Sequence, residues 1–155
     1  MAVRATTDDH LIVRTTGLYG HPRTGARHGN FVETMLRLAE TGKPVSVVGD
    51  QILTPSLTDD VARVVAELIR RGARGTFHVT NSGECSWYDF AAEIFRLAGI
   101  RPDLRQVSQA ERPVPARRPA YSVLGHGGIL GLGLLETRPW KEALRAYFVE
   151  REEDP

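Results

Sequence analysis

The sequence predicts an α/β fold, because short β-branched runs alternate with longer segments of helical period. Three pairs of segments carry the reading. Leu11-Ile12-Val13 precedes an apolar helical face at 31–39, Val45 to Val48 precedes another at 58–69, and Thr76 to Thr80 precedes a third at 87–98. With 155 residues the chain has the size of one ordinary domain, read here as spanning 1–155, and buries roughly two thirds of its unfolded surface without needing disulfides or a metal.

In chain order, residues 2–7 read as the tail of a helix, too few to nucleate one and uncapped, so the chain is expected to begin inside an element. Leu11-Ile12-Val13 forms a strand core that leaves through small and polar residues into a loop rich in Pro and Gly. Asn30 caps a helix carrying Phe31, Val32, Met35, Leu36 and Ala39, which Gly42 stops. Pro44 and Gly49 bound the next strand. Thr58 is expected to cap the following helix, with Asp59 and Asp60 in its first turn and Val61, Val64, Val65, Leu68 and Ile69 on its apolar face.

Alternation in Thr76-Phe77-His78-Val79-Thr80 puts Phe77 and Val79 on one face and His78 on the other. Asn81-Ser82-Gly83 marks a turn, and Ser86 with Asp89 forms a capping-box variant. That helix presents Trp87, Phe90, Ala91, Ile94 and Ala98 to the core and ends at Gly99. Residues 100–118 are rich in loops, with one strand near 105–108; 120–124 reads as another short strand. Thr137 and Pro139 begin a last helix bearing Trp140, Leu144, Tyr147 and Phe148, before a charged tail at 151–155.

Composition excludes several classes of function. Twenty Lys and Arg against 19 Asp and Glu leave a net charge of +1, which gives no field for nucleic acid. The Arg residues within 101–118 still allow a local site for an anionic ligand. Cys85 is the single cysteine, so no intrachain disulfide or thiolate metal cage forms, and its expected role is that of a small hydrophobe. No run approaches the roughly 18 apolar residues of a membrane span, and the amino terminus has no apolar leader core; a soluble cytoplasmic protein is expected.

The chemistry concentrates at Asp50-Gln51, which follow a buried strand at its carboxyl end, where open α/β sheets hold their ligands. The pair suits a hydrogen-bonding shelf for a polyol or sugar; the competing reading is that Asp50 closes a turn and Gln51 faces water. Met35 and Trp87 are read as core, and His78 as a packed or hydrogen-bonded residue, since no carboxylate at fixed spacing orients it as a base. Gly125-His126-Gly127-Gly128-Ile129-Leu130-Gly131 imitates a dinucleotide phosphate loop. The remaining chain is too short for the βαβ unit such a loop requires, so that reading is rejected.

A resemblance rests on segments that occur in order: Leu11-Ile12-Val13-Arg14-Thr15, Tyr19-Gly20, Gly29-Asn30-Phe31-Val32, Asp50-Gln51, Asp60-Val61-Ala62, Phe77-His78-Val79, Asn81-Ser82-Gly83, Ser86 to Ala91 and Arg118 to Leu124. Together they resemble the carboxyl-terminal half of dTDP-4-dehydrorhamnose reductases, extended short-chain dehydrogenases/reductases, over almost all of 2–148. The resemblance implies a partial Rossmann-like sheet with the substrate-binding α/β region, the amino-terminal dinucleotide-binding half missing. It also implies a dTDP-sugar as ligand, NADPH as the cofactor of the full-length family, and the Rossmann half or a second copy as a partner.

By this resemblance Gln51, Arg118 and Tyr121 are the substrate-facing residues, and no catalytic, cofactor or metal residue is assigned. A guanidinium suits phosphate through its charge and forked donors, although a solvated loop charge is the plain alternative for Arg118. The family's Tyr-x-x-x-Lys pair is absent, since Tyr19, Tyr88, Tyr121 and Tyr147 are followed four positions later by Arg23, Ala92, Gly125 and Arg151. The chain alone is therefore expected to bind no cofactor and to be inactive, either as a reductase half or as a non-catalytic binding module. Gly17 stands where many members carry a tryptophan over the sugar, Leu53 and Ser56 replace a Gly and a Thr, and Gly125 replaces an aspartate.

Overall fold

The computed structural model describes residues 2–21, 29–111, 118–134 and 137–153. The elements run α1 (Ala2–Thr6), β1 (Leu11–Arg14), β2 (Leu18–Tyr19), α2 (Phe31–Glu40), β3 (Val45–Val48), β4 (Ile52–Leu53), β5 (Ser56–Leu57), α3 (Thr58–Arg70), β6 (Gly75–His78), β7 (Cys85–Ser86), α4 (Trp87–Leu97), β8 (Leu104–Val107), a 3-10 turn at Gln109–Glu111, α5 (Gly127–Gly131) and α6 (Trp140–Glu153). Four two-stranded pairs result. β1 with β6, β2 with β5 and β3 with β8 are parallel, and β4 with β7 is antiparallel.

Most helix boundaries follow local chemistry. Asn30 adopts extended backbone ahead of α2 and accepts a hydrogen bond from the Glu33 amide at 3.1 Å. Gly42 follows at φ +67°, the left-handed conformation that lets the chain leave the helix. At α4 the capping box is complete, with the Asp89 amide donating to Ser86 Oγ at 3.0 Å and the Ser86 amide to Asp89 Oδ2 at 3.2 Å.

Five expectations need correction. Leu57, not Thr58, is the N-cap of α3; Thr58 already lies in the helix, because β5 runs straight into it. Ile69 is 64% exposed whereas Leu68 is fully buried, since one residue turns the side chain about 100° around the axis. The helix tail expected at 2–7 forms but ends at Thr6, and it is tied to β6 by Arg4 Nη2 donating to Thr76 Oγ1 at 2.5 Å. The predicted strand at 120–124 reduces to a single bridge between Tyr121 and Ile52. Arg151 belongs to α6, not to a solvated tail, and pairs with Glu33 at 2.8 Å. Part of the 100–118 loop falls at 112–117, outside the described residues.

Two apolar clusters form the interior. The larger joins α2, β3, α4 and α6 through Val32, Val47, Phe90, Ile94, Leu144 and Tyr147. The smaller sets Leu68 of α3, Phe77, Val79 and Ile129 of α5 beneath β1 and β6. A buried polar group also ties distant segments. Asp60, 5% exposed, accepts from Asn81 Nδ2 at 2.7 Å and from Arg138 Nε at 2.8 Å, while Asn81 Oδ1 accepts from the Leu57 amide at 2.8 Å.

Candidate functional site: a cleft at the end of β3

Beside β3 lies a cleft of about 540 Å³ lined by Phe31, Met35, Ser46, Val47, Val48, Gln51, Trp87 and Arg118. Each wall has a local cause. In β3 Val45 and Val47 are buried and Ser46 and Val48 half-buried, and Ser46, Val47 and Val48 all reach the cleft. The Trp87 amide donates to the Gln51 carbonyl at 3.3 Å, which fixes the first turn of α4 against the strand's exit. Phe31, at the start of α2, meets the Trp87 ring at 4.5 Å and 46°. Arg118 is brought in by its neighbours, since the Ile52 amide donates to the Ala120 carbonyl at 2.8 Å and the Ser122 amide to the Ile52 carbonyl at 2.9 Å.

The structure brings Gln51 and Arg118 together but not Tyr121. The Tyr121 side chain is 59% exposed, and its hydroxyl donates to Glu84 Oε2 at 2.5 Å instead of lining the cleft; that hydrogen bond raises its pKa. Asp50 and Gln51 also part company. The Asp50 carboxylate accepts from the Gln109 amide at 3.0 and 2.9 Å, so it closes the turn after β8, while Gln51 faces the cleft.

Met35 and Trp87 were assigned to the core by period, and both touch it, but each also lines the cleft. Ser46 and Val48 were not singled out; the two-residue alternation around Val45 and Val47 was the signal that could have found them.

Other candidates take structural roles. His78 Nδ1 lies 3.2 Å from the Gly125 carbonyl, a packed and hydrogen-bonded histidine as expected. The Thr80 hydroxyl donates to the Asn81 carbonyl, so at 2.7 Å its oxygen accepts the proton on His126 Nε2. Segment 125–131 builds α5, whose Ile129 is fully buried. Cys85 is buried, and burial followed by the nearby Asp89 carboxylate pushes its thiol up to about 12. Gly17 has φ +57°, and a Cβ there would meet Leu53 Cδ1 at 2.7 Å and the Thr54 carbonyl at 2.9 Å. Leu53 and Gly17 are thus a matched pair, and any side chain at 17 requires Leu53 to move. Among the described residues no cluster of His, Cys, Asp and Glu suits a metal ion, and no helix is long and apolar enough to cross a membrane.

Parallel strand pairs flanked by helices, with a ligand-sized cleft at a strand's carboxyl end, define a ligand-binding domain of the partial Rossmann-like α/β class. Within that class the chain belongs to the RmlD substrate binding domain family, whose model matches residues 1–152. It is 45% identical over 149 residues to the spore coat polysaccharide biosynthesis protein SpsK of Bacillus subtilis, covering 96% of this chain and 50% of that one. It is 42% identical to a dTDP-4-keto-6-deoxy-D-glucose reductase of Streptomyces niveus, covering 91% and 48%. The crystal structure of dTDP-4-dehydrorhamnose reductase from Bacillus anthracis in complex with NADP superposes with a TM-score of 0.89 at 37% identity, covering 96% of this chain and 51% of that one. The chain thus spans about half the length of the curated relatives it matches.

Proposed function

We propose that the chain is the substrate-side half of an NADPH-dependent dTDP-4-dehydrorhamnose reductase, acting in dTDP-L-rhamnose formation in the cytoplasm and inactive as an isolated chain. The observation that carries this reading is the convergence of Gln51 and Arg118 on one cleft walled by Phe31 and Trp87. Arg118 is exposed at the cleft and offers forked donors to a diphosphate. The Gln51 amide both donates and accepts, which suits the hydroxyls of a sugar. Phe31 and Trp87 shield the ligand from water on one side.

Residues 125–131 do not fit a dinucleotide, because they close into α5 with Ile129 plugged into the smaller core. In this reading NADPH and the proton donor belong to a complementary half, and the lack of a lysine four positions after any tyrosine of this chain supports it. A second reading is a non-catalytic module that binds sugar nucleotides or another protein through the same cleft.

Calorimetric titration with dTDP-rhamnose and NADPH in separate runs tests the binding side, and dTDP-rhamnose alone is expected to bind. A fusion with the Rossmann half of a relative tests the reaction. NADPH oxidation no faster with a dTDP-4-keto sugar than without it would sink the reductase assignment. Turnover by the fusion separates the first reading from the second.

A further inference from the structure

Three residues that do not line the cleft form a closed ring of hydrogen bonds at the start of α2. The Glu33 amide donates to Asn30 Oδ1 at 3.1 Å, Asn30 Nδ2 donates to the Tyr147 hydroxyl at 3.3 Å, and that hydroxyl donates to Glu33 Oε1 at 2.7 Å. Chemistry fixes each direction. A carboxylate only accepts, so the single phenolic proton goes to Glu33 and Asn30 must turn its amide nitrogen to Tyr147, which leaves its oxygen to cap the helix. Asn30 Nδ2 also donates to the Gly20 carbonyl, so both ends of this side chain are engaged.

Tyr147 is fully buried on α6, and its ring is held independently of its hydroxyl, edge-on to Tyr19 at 5.6 Å and stacked on His21 at 4.4 Å. It is a fixed point for Asn30. The next residue, Phe31, opens α2, and its ring meets Trp87 at 4.5 Å and Phe90 at 5.5 Å. Phe31 and Trp87 both line the cleft. The backbone of a residue joined to an anchored cap has little freedom, so the pose of the Phe31 ring follows from where Asn30 is held. We propose that Tyr147 is a positioning residue for the cleft, acting from α6 through Asn30 to set Phe31 against Trp87. Its effect on a ligand rests on the sugar-nucleotide reading above; its effect on the two rings does not.

Tyr147→Phe keeps the ring and removes both hydroxyl bonds. Arg151→Gln removes the other partner of Glu33, bonded at 2.8 Å, and leaves Asn30 untouched. The chain has two tryptophans, Trp87 and Trp140, which labelling with fluorotryptophan turns into two fluorine NMR lines, assigned with Trp87→Phe. Trp140 packs on Phe90 at 5.7 Å and serves as the internal control. In Tyr147→Phe the Trp87 line is expected to shift while the Trp140 line holds, and Arg151→Gln should move neither. Affinity for dTDP-rhamnose, measured calorimetrically, should fall about threefold in Tyr147→Phe and stay unchanged in Arg151→Gln. A Trp87 line that stays in place, equal shifts of both lines, or the same Trp87 shift in Arg151→Gln overturns the positioning role. So does an affinity that Tyr147→Phe leaves unaltered. A parent chain that binds no dTDP-rhamnose overturns the sugar-nucleotide reading instead, and the fluorine lines alone then decide the role of Tyr147.

Discussion

Asp60 is the residue on which the most segments depend. Its carboxylate gathers Asn81 and Arg138 from separate parts of the chain, with Arg63 at 3.5 Å on its second oxygen. Replacing it by alanine removes the carboxylate partner of one half-buried guanidinium and one of the two acceptors of the Asn81 amide, which keeps its bond to the Arg138 carbonyl at 3.1 Å. Arg138 keeps 30% side-chain exposure, so the loss is expected below the full buried-pair range, at about 2–3 kcal/mol in urea unfolding. A loss under about 1 kcal/mol would show that water replaces the carboxylate freely. For binding, Arg118→Ala should weaken dTDP at least about tenfold without lowering the melting temperature, because Arg118 is exposed. Tyr121→Phe removes only a surface bond to Glu84 and should change stability by no more than about 0.5 kcal/mol and dTDP affinity not at all. A large affinity loss in Tyr121→Phe would return that residue to the site.

At the scale of elements, the caps behave as local signals. Ser86→Ala opens the capping box of α4 and should cost about 1 kcal/mol, measurable as a shifted denaturation midpoint at constant slope. The junction of α2 and α6 adds a pH dependence. Burial alone would raise the Glu33 carboxyl, but hydrogen bonds from Arg151 and the Tyr147 hydroxyl outweigh it and hold the pKa below its ordinary 4.5. A carboxylate with a depressed folded pKa stabilises the fold fully above its unfolded value, and that contribution disappears as pH falls through the folded value. The melting temperature should therefore drop below about pH 4.5, and Glu33→Gln should flatten that acid limb; identical profiles for the two proteins would refute the assignment.

These elements also show what the sequence could and could not disclose. The Asn30 and Ser86 caps were legible because each involves residues three positions apart. Gln51 was legible from its place after a strand. Met35 and Trp87 were legible only as core, because residues that wall a cleft from an apolar helix face obey the same period as residues that fill the interior. The bond of Tyr121 to Glu84 was not legible, because that partner lies 37 residues away and no local pattern announces it. The unity of β5 and α3 escaped for a similar reason: Thr58 has the chemistry of a cap, but strand pairing of Leu57 with Tyr19 decides where the helix begins.

At the scale of the whole molecule, the two cores have different surroundings. The larger is enclosed by three helices, whereas the smaller sits under a parallel pair in which β1 has β6 as its single described neighbour. Two backbone hydrogen bonds fix the phase of that pair: the Gly75 amide donates to the His10 carbonyl and the Val79 amide to the Arg14 carbonyl. By the two-residue repeat, Ile12 shares their side and Leu11 and Val13 turn their peptide groups outward. Deuterium uptake along β1 should therefore be striped, slow at the Ile12 and Arg14 amides and fast at Leu11 and Val13, and amide-resolved exchange would show it. Uniform protection in the isolated chain would mean that a second copy already lies along the strand. A stripe that fades when a complementary half is added would report the new contact residue by residue, independently of catalysis, and would turn four amides into an assay for assembly.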